Sequence, residues 1–230
     1  MCRLYASLGP TSPPPQELID FGALCTTGCA GPHADGWGLV AYDASGRPST
    51  VVKSLAPAAS DPLLPQTARA LEGRPLVVAH LRKRSNGGVV IENNHPFVHG
   101  RWTFAHNGTI HDPYAQKMAP GLGLNDSRAL VLRMQETLDD DPLEALRGAI
   151  HEVRAGGFDY TSITTVLTDG ARLFVTRDAR TREDYYTMRY RVESGRVVFC
   201  QEPLGRGEWT DLPNGHVAIA RAGAIEVLAL

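Results

Sequence analysis

The chain has 230 residues, of which 43% are hydrophobic and 21% charged, a composition typical of a globular protein with a buried core. Its 23 basic and 25 acidic residues give a net charge of −2, so we expect no attraction to nucleic acid or to an anionic membrane. It shows no signal peptide or bilayer-spanning stretch, and its four cysteines are too few for a disulfide scaffold, so we expect one cytoplasmic domain over residues 1–230 with reduced thiols.

The first element is the strand "CRLYASL", and it begins with a cysteine directly after the initiator methionine. If Met1 is removed, Cys2 carries both a thiol and a free α-amine, with reference pKa values of roughly 8.5 and roughly 8. The amine can then take the thiol proton, so one residue supplies both the nucleophile and the general base. The alternative is that Cys2 is only a small hydrophobic residue at the start of an edge strand.

The next elements alternate between helices and strands. "SPPPQELIDFGALC" predicts a helix with Pro15 in its first turn, and "CTTGC" has one residue too many for a redox or zinc motif, so we interpret Cys25 and Cys29 as structural. "GWGLVAYD" and "STVVKSL" predict a hairpin, and "PLLPQTARALEG" predicts a helix that ends at Gly73. "RPLVVAHLRKRS" and "RWTFAHNGTI" predict two further strands.

Helices dominate the centre and hairpins the last third. "NDSRALVLRMQETL" predicts a helix capped by Asn125 or Asp126, and "DPLEALRGAIHEVRAG" predicts a second helix. Three hairpins follow, with turns at Asp169-Gly170, Ser194-Gly195 and Ala222-Gly223. Strands at both ends of the chain argue against a doubly wound parallel sheet. The pattern predicts an α+β fold in which two antiparallel sheets pack together and are covered by helices.

Three polar stretches interrupt these elements: "HADGWG", "AHLRKRS" and "NNHPFVHGRWTFAHNGTI". Arg82 follows the apolar half of a strand and could bind a carboxylate through two hydrogen bonds. Asn107 and Gly108 offer a side-chain amide and a backbone N–H, which together could form an oxyanion hole. The alternative for these two residues is an ordinary type I′ turn of the Asn-Gly class.

Taken together and in this order, the N-terminal cysteine, "DGWG", "AHxR", "NNHPF", "FxHNG" and "NDS" resemble the class II glutamine amidotransferases, which are N-terminal nucleophile hydrolases. The resemblance covers residues 2 to about 135, and the later segment "EPLGRGEWTDLPNGH" is similar to stand-alone members, which include the γ-glutamyl amidase of ergothioneine biosynthesis. It implies a four-layer αββα sandwich and the hydrolysis of a γ-glutamyl amide through a thioester, without metal or cofactor.

The resemblance also implies a role for individual residues. Cys2 matches the nucleophile and supplies the amine base, while Asn107 and Gly108 match the oxyanion hole. Arg82 matches the group that binds the substrate α-carboxylate, with Ser85 assisting it, and Asp126 matches the group that binds the α-ammonium. The predicted substrate-binding set is completed, from the same polar stretches, by His33, Trp37 and His80. The large synthases differ at "PHADGWG", which leaves the roles of His33 and Trp37 open.

Three alternatives remain at this stage. The histidines between positions 33 and 111 suggest a metal hydrolase, but their spacing matches no known ligand motif. A non-catalytic binding module of the same fold is the second alternative; chemically competent residues at every matched position argue against it, although a retained Met1 would block the amine. Finally, an enzyme of this kind could act as an amidase or hydrolase on its own, which we favour, or deliver ammonia from glutamine to a separate synthase partner.

Overall fold

The computed structural model describes residues 2–27, 32–85 and 88–230. In this part of the chain, the helices are α1 (Pro15–Thr27), α2 (Leu63–Arg69), α3 (Tyr114–Met118), α4 (Asp126–Met134) and α5 (Pro142–Ala155). The strands are β1 (Arg3–Leu8), β2 (Trp37–Tyr42), β3 (Pro48–Ser54), β4 (Leu76–Leu81), β5 (Phe97–His99), β6 (Trp102–Asn107), β7 (Thr164–Thr168), β8 (Leu173–Arg177), β9 (Arg189–Glu193), β10 (Arg196–Cys200), β11 (Thr210–Asp211), β12 (His216–Arg221) and β13 (Ala224–Ala229). None of these helices is long and apolar enough to cross a bilayer.

The strands form two antiparallel sheets. The first has the order β11-β9-β10-β1-β4-β2-β3 and the second has the order β13-β12-β8-β7-β6-β5. β1 therefore lies in the middle of its sheet, between β4 and β10, and is not an edge strand. Polar groups at its N-terminal end are flanked by residues from two distant parts of the chain.

Three apolar clusters divide the molecule into four layers. One lies between the sheets and includes Leu4 and Val78 of the first sheet and Val166 of the second. A second packs α1 and α2 against the outer face of the first sheet, and a third packs α3, α4 and α5 against the outer face of the second. This helix–sheet–sheet–helix arrangement confirms the predicted α+β sandwich of two antiparallel sheets.

The alternation along each strand determines which side chains can meet between the sheets. In β1, Leu4, Ala6 and Leu8 point to the inner cluster, whereas Tyr5 points to the outer helices. Because side chains alternate along a strand, Cys2 shares the inner face with Leu4. In β4 the same rule places His80 and Arg82 on the inner face, since Val78 lies in the inner cluster.

Two of the predicted helices are shorter in the structure. The helix predicted over residues 125–138 ends at Met134. Asn125 caps α4, because its side chain accepts a hydrogen bond from the Arg128 N–H, and Asp126 is the first helical residue. The helix predicted to end at Gly73 ends at Arg69 instead, and Gly73 lies in the following turn with φ +74°. The predicted structural role of Cys25 agrees with its burial against α2. Cys29 and Met1 lie outside the described residues.

Candidate active site

Cys2 lies at the start of β1, on the face that points between the sheets. Its backbone N–H donates to Oδ1 of Asn107 over 3.0 Å, and Nδ2 of Asn107 donates to the Cys2 carbonyl over 2.8 Å. Asn107 is the last residue of β6, so these two bonds join the two sheets at one end. The predicted nucleophile and the predicted amide donor are direct neighbours.

Cys2 is half-buried, and its thiol contacts the backbone of the chain after β4. Its Sγ donates to the carbonyl of Lys83, which lies 3.5 Å away. Burial raises the pKa of the Cys2 thiol, and the positive charge of Arg82 opposes that rise only in part. Because a protonated thiol is a weak nucleophile, attack by Cys2 requires a nearby base that removes its proton.

Gln201 is a site residue that the sequence did not reveal. Its Oε1 accepts from Nδ2 of Asn107 over 2.9 Å and from the Leu4 N–H over 3.0 Å, and its Nε2 donates to the Thr187 carbonyl over 3.1 Å. Gln201 is fully buried and follows β10, the strand beside β1. It fixes the Asn107 amide against the nucleophile, and both hydrogens of that amide are already engaged.

Gly108 occupies a position that only glycine fits. A Cβ atom there would overlap the carbonyl of Ser162. Neither Asn107 nor Gly108 has a positive φ, although a type I′ turn requires positive φ at both of its central residues. The type I′ turn is therefore wrong for this pair. Within the described chain, the Gly108 N–H donates to no other backbone or side-chain group, so a donor beside Cys2 remains available.

Arg82 is a buried cation that forms no ion pair with any described residue, although the Asp35 carboxylate lies close enough to favour its charged form. Its side chain is 4% exposed and donates to Oδ1 of Asn94 over 3.3 Å and to the Gly88 carbonyl over 3.0 Å. Both acceptors are neutral, and no carboxylate of the described residues forms an ion pair with Arg82 within 4.0 Å. A buried charge of this kind is costly unless an opposite charge reaches it.

Asp126 is the matching buried anion. It is 5% exposed, and its Oδ2 accepts the Ile110 N–H over 2.8 Å, but no basic group of the described chain pairs with it. The N-terminal end of α4 stabilises its negative charge. The charges of Asp126 and Arg82 both affect the pKa of the Cys2 thiol, Arg82 lowering it and Asp126 raising it. We refer to Arg82 and Asp126 as the recognition pair.

His106 links β6 to the first turn of α4. On the outer face of β6, its Nδ1 lies 2.8 Å from Oγ of Ser127, and its Nε2 lies 3.0 Å from the Ser162 carbonyl. Ser127 follows Asp126 in α4. Burial lowers the pKa of His106, while the Asp126 carboxylate acts in the opposite direction. This histidine therefore holds one half of the recognition pair against β6.

The remaining predicted substrate-binding residues lie in different surroundings. Ser85 is exposed on the loop after Arg82. Trp37 lies on the outer face of its strand, in the cluster with α1, and its indole N–H donates to Asp61 over 2.9 Å. The structure therefore does not bring Trp37 to Cys2, because β2 turns that side chain toward the helices.

Two predicted histidines are buried in different places. His80 lies on the inner face of β4, with its ring centroid 4.5 Å from that of His95. No described residue hydrogen-bonds to the imidazole nitrogens of either ring, and burial holds the pKa of both well below the usual range. His33 is fully buried before β2, where its backbone N–H donates to the Cys25 carbonyl over 2.7 Å. These contacts do not test whether His33 and His80 bind the substrate, so that role stays a prediction.

An aromatic and charged group borders the other side of Cys2. Arg3 donates to the Cys2 carbonyl over 3.0 Å and forms an ion pair with Glu202. The Arg3 guanidinium lies 4.4 Å from the ring centroid of Tyr185. The charge of a Cys2 thiolate would raise the pKa of both Tyr185 and Tyr186, although burial is the larger cause. Only the adjacency of Arg3 to Cys2 could have indicated this group from the sequence.

The chain is similar in sequence to known proteins of one family. The sequence model of the family described as glutamine amidotransferases class-II matches residues 1–194. The chain is 36% identical over 120 residues, 48% of its length, to the putative glutamine amidotransferase YafJ of Escherichia coli, of which the match spans only 44%. It is 26% identical over 200 residues to the gamma-glutamyl-hercynylcysteine sulfoxide hydrolase of Mycobacterium tuberculosis, covering 86% of this chain and 80% of that protein.

A solved structure supports the same fold. The glutamine aminotransferase class-II domain protein of Silicibacter pomeroyi superposes with a TM-score of 0.70 at 24% sequence identity, covering 99% of both chains. Gln201 lies beyond the segment that matches the family model, so the structure adds a residue to the site from the last part of the chain.

Proposed function

The chain belongs to the class-II glutamine amidotransferases, and we propose that it hydrolyses the amide bond of glutamine or of a larger γ-glutamyl compound, with Cys2 as the nucleophile. The observation that carries this proposal is the recognition pair. Arg82 and Asp126 are buried, opposite in charge and without ion-pair partners in the described chain, and both act on the Cys2 thiol. A free glutamyl group carries an α-carboxylate and an α-ammonium that complement them.

The reaction begins with the removal of Met1, which exposes the α-amine of Cys2. This nitrogen lies 3.0 Å from Oδ1 of Asn107. The oxygen would accept a hydrogen bond from the amine and so orient it. The amine takes the thiol proton, and the sulfur attacks the δ-carbonyl carbon of the substrate. When the C–N bond breaks, the amine returns the proton to the leaving nitrogen. Water then attacks the thioester, which releases glutamate and restores the thiol.

The Gly108 N–H is the first donor that would stabilise the oxyanion. It is a backbone donor with no partner in the described chain, next to the residue that binds Cys2. A preformed donor of this kind lowers the barrier by about 3 kcal/mol. Asn107 can join it only if its Nδ2 breaks one of its bonds to Cys2 and Gln201. The predicted role of Asn107 as an oxyanion donor therefore stays a prediction.

We favour direct hydrolysis of a γ-glutamyl amide over delivery of ammonia to a synthase. The support is the similarity to a protein named as a gamma-glutamyl hydrolase, which extends over 86% of this chain. An ammonia donor would turn over glutamine far better than larger amides, and only when a partner protein is added. The leaving group thus distinguishes the two functions.

The deciding experiment measures release of the leaving amine: ammonia from glutamine, methylamine from γ-glutamyl methylamide and the free amino acid from γ-glutamyl amino acids. N-acetylglutamine is the blocked control, and its hydrolysis is followed by the ammonia that it releases. We expect N-acetylglutamine to react poorly, because acetylation removes the charge that Asp126 binds. Asp126→Asn should cost about 2 to 5 kcal/mol in kcat/KM for free γ-glutamyl substrates, as expected for the loss of one partner of a buried charge pair. The same variant should leave the rate with N-acetylglutamine unchanged.

Asp141→Asn is the matched control, since Asp141 also lies at the start of a helix, α5, but caps it at an exposed position. Equal reaction of blocked and free substrates would refute the recognition pair. Partner-dependent turnover restricted to glutamine would establish the ammonia donor instead.

A further inference from the structure

A cavity of about 400 Å³ opens where the edge strands of the two sheets approach α4, and we call it the anion pocket. Lys53 reaches it from β3 and Arg128 from α4. Phe97 of β5 and Val131 of α4 form its apolar walls. Neither Cys2 nor the recognition pair is among the described residues that line it. The anion pocket is therefore distinct from the candidate active site.

The pocket is lined by two cationic side chains, Lys53 and Arg128, and by one acidic side chain, Glu92. The Lys53 ammonium is half-buried and lies 5.3 Å from the Phe97 ring centroid. Burial, and then the like charge of Arg128, lower the pKa of Lys53 to about 8. Neither cation forms an ion pair within 4.0 Å with any residue of the described chain. Glu92 also lines the pocket and offsets one of the two charges.

We propose that the anion pocket binds a small organic anion, whose carboxylate or phosphate lies between Lys53 and Arg128 and whose apolar part packs against Phe97 and Val131. Two partly desolvated cations repel each other, and an anion between them removes that cost. The volume is within the range of pockets that hold small ligands, and the mixture of apolar walls with a few charged groups is typical of such sites.

Two short routes connect the pocket to the recognition pair. Lys53 precedes Ser54, whose carbonyl accepts from Nδ2 of Asn94 over 2.8 Å. Oδ1 of the same Asn94 accepts from Arg82 over 3.3 Å. On the other side, Arg128 lies in the first turn of α4, two residues after the acidic member of the pair. A bound anion would contact α4, which carries Asp126, and β3, whose Ser54 carbonyl binds the same Asn94 that binds Arg82.

The test is direct binding of phenyl phosphate to the full-length protein by isothermal titration calorimetry. Benzyl alcohol serves as the neutral probe and inorganic phosphate as the probe without an apolar part. We expect saturable binding of phenyl phosphate that is at least tenfold tighter than that of either other probe. Lys53→Gln and Arg128→Gln, which lie on different elements, should each weaken phenyl phosphate binding at least tenfold.

Lys117→Gln is the matched control, because the Lys117 ammonium lies over a phenylalanine ring in the same way, 5.1 Å from the Phe158 centroid, but outside the pocket. It should bind phenyl phosphate like the wild type. Thermal melting of each variant shows whether it is folded. Absence of saturable binding, wild-type affinity in both pocket variants, or an equal loss in Lys117→Gln would each overturn the proposal. The titration measures no catalysis, so its outcome is independent of the proposed hydrolysis.

Discussion

Cys2 and Asn107 form two hydrogen bonds with each other between the two sheets. The Cys2 N–H donates to Oδ1 of Asn107 over 3.0 Å, and Nδ2 of Asn107 donates to the Cys2 carbonyl over 2.8 Å. The residues are 105 positions apart in the chain. This contact places the Cys2 nitrogen, which becomes the N-terminal amine if Met1 is removed, where the start of β1 meets the end of β6. It gives the proposed nucleophile a defined orientation before any substrate binds, which reduces the entropic cost of attack.

The first prediction concerns the nucleophile. Cys2→Ala removes the thiol while leaving the backbone contacts with Asn107, so glutamate release should fall at least about a thousandfold with the fold retained. Intact-mass measurement should show that the active protein lacks Met1. Cys200→Ala is the matched control, because Cys200 is buried on the outer face of the same sheet. Full activity in Cys2→Ala, or activity in protein that retains Met1, would exclude the mechanism.

The second prediction concerns Gln201. Gln201→Ala leaves the Leu4 N–H and the Asn107 amide without their buried acceptor, which should destabilise the protein by about 1 to 3 kcal/mol. Because Asn107 then keeps its two bonds to Cys2 but loses the buried one that fixes its amide, kcat should fall while KM for the γ-glutamyl substrate stays near the wild-type value. Gln201→Glu retains the acceptor oxygen and should restore part of kcat. An unchanged kcat in Gln201→Ala would show that Gln201 is only structural.

The third prediction compares two glycines. Gly108→Ala must displace the Ser162 carbonyl, which should both destabilise the protein and abolish turnover. Gly148→Ala meets open space on α5, so it should stabilise the protein by about 0.5 to 1 kcal/mol and leave activity unchanged. Chemical denaturation and glutamate release measure both effects. Normal activity in Gly108→Ala would mean that the close approach to Ser162 does not position the backbone donor.

The fourth prediction concerns acid stability. Burial lowers the pKa of His80 and His95 in the folded protein, so below about pH 6.5 the unfolded chain binds more protons. The stability from these neutral rings is complete above that pH and is lost as the pH falls toward their folded-state pKa. In that range, each ring should lower the free energy of unfolding by about 1.4 kcal/mol for every unit that the pH falls.

Denaturation at a series of pH values tests this slope. His95→Gln should reduce the slope of the free energy of unfolding against pH by the contribution of one histidine. This holds whatever the substitution does to stability at neutral pH. His111→Gln, at an exposed position, should leave the slope unchanged. A slope in His95→Gln equal to that of the wild type would show that His95 does not stay neutral in the folded protein.

Local patterns along the chain were sufficient to predict most of the elements. Alternating apolar residues predicted the strands, and an Asn125 cap and a proline near the start predicted α4 and α5, because these signals depend on neighbours within one turn. Two helix ends were predicted too late, at Leu138 instead of Met134 and at Gly73 instead of Arg69, and in both cases turns follow the observed end of the helix. The order of the polar motifs was also readable, and it indicated the family that the comparison then showed.

Only the tertiary structure decided which of the polar residues meet. Alternation along β2 places Trp37 and its neighbour Gly38 on opposite faces of the strand. It does not say which face lies between the sheets. In the structure Trp37 packs against α1, on the face that points away from Cys2. Gln201 reached Asn107 because β10 pairs with β1, a contact between opposite ends of the chain. That neither Arg82 nor Asp126 forms an ion pair with another described residue is likewise a property of the packed molecule, because the pairing of charges depends on distances that no local pattern encodes.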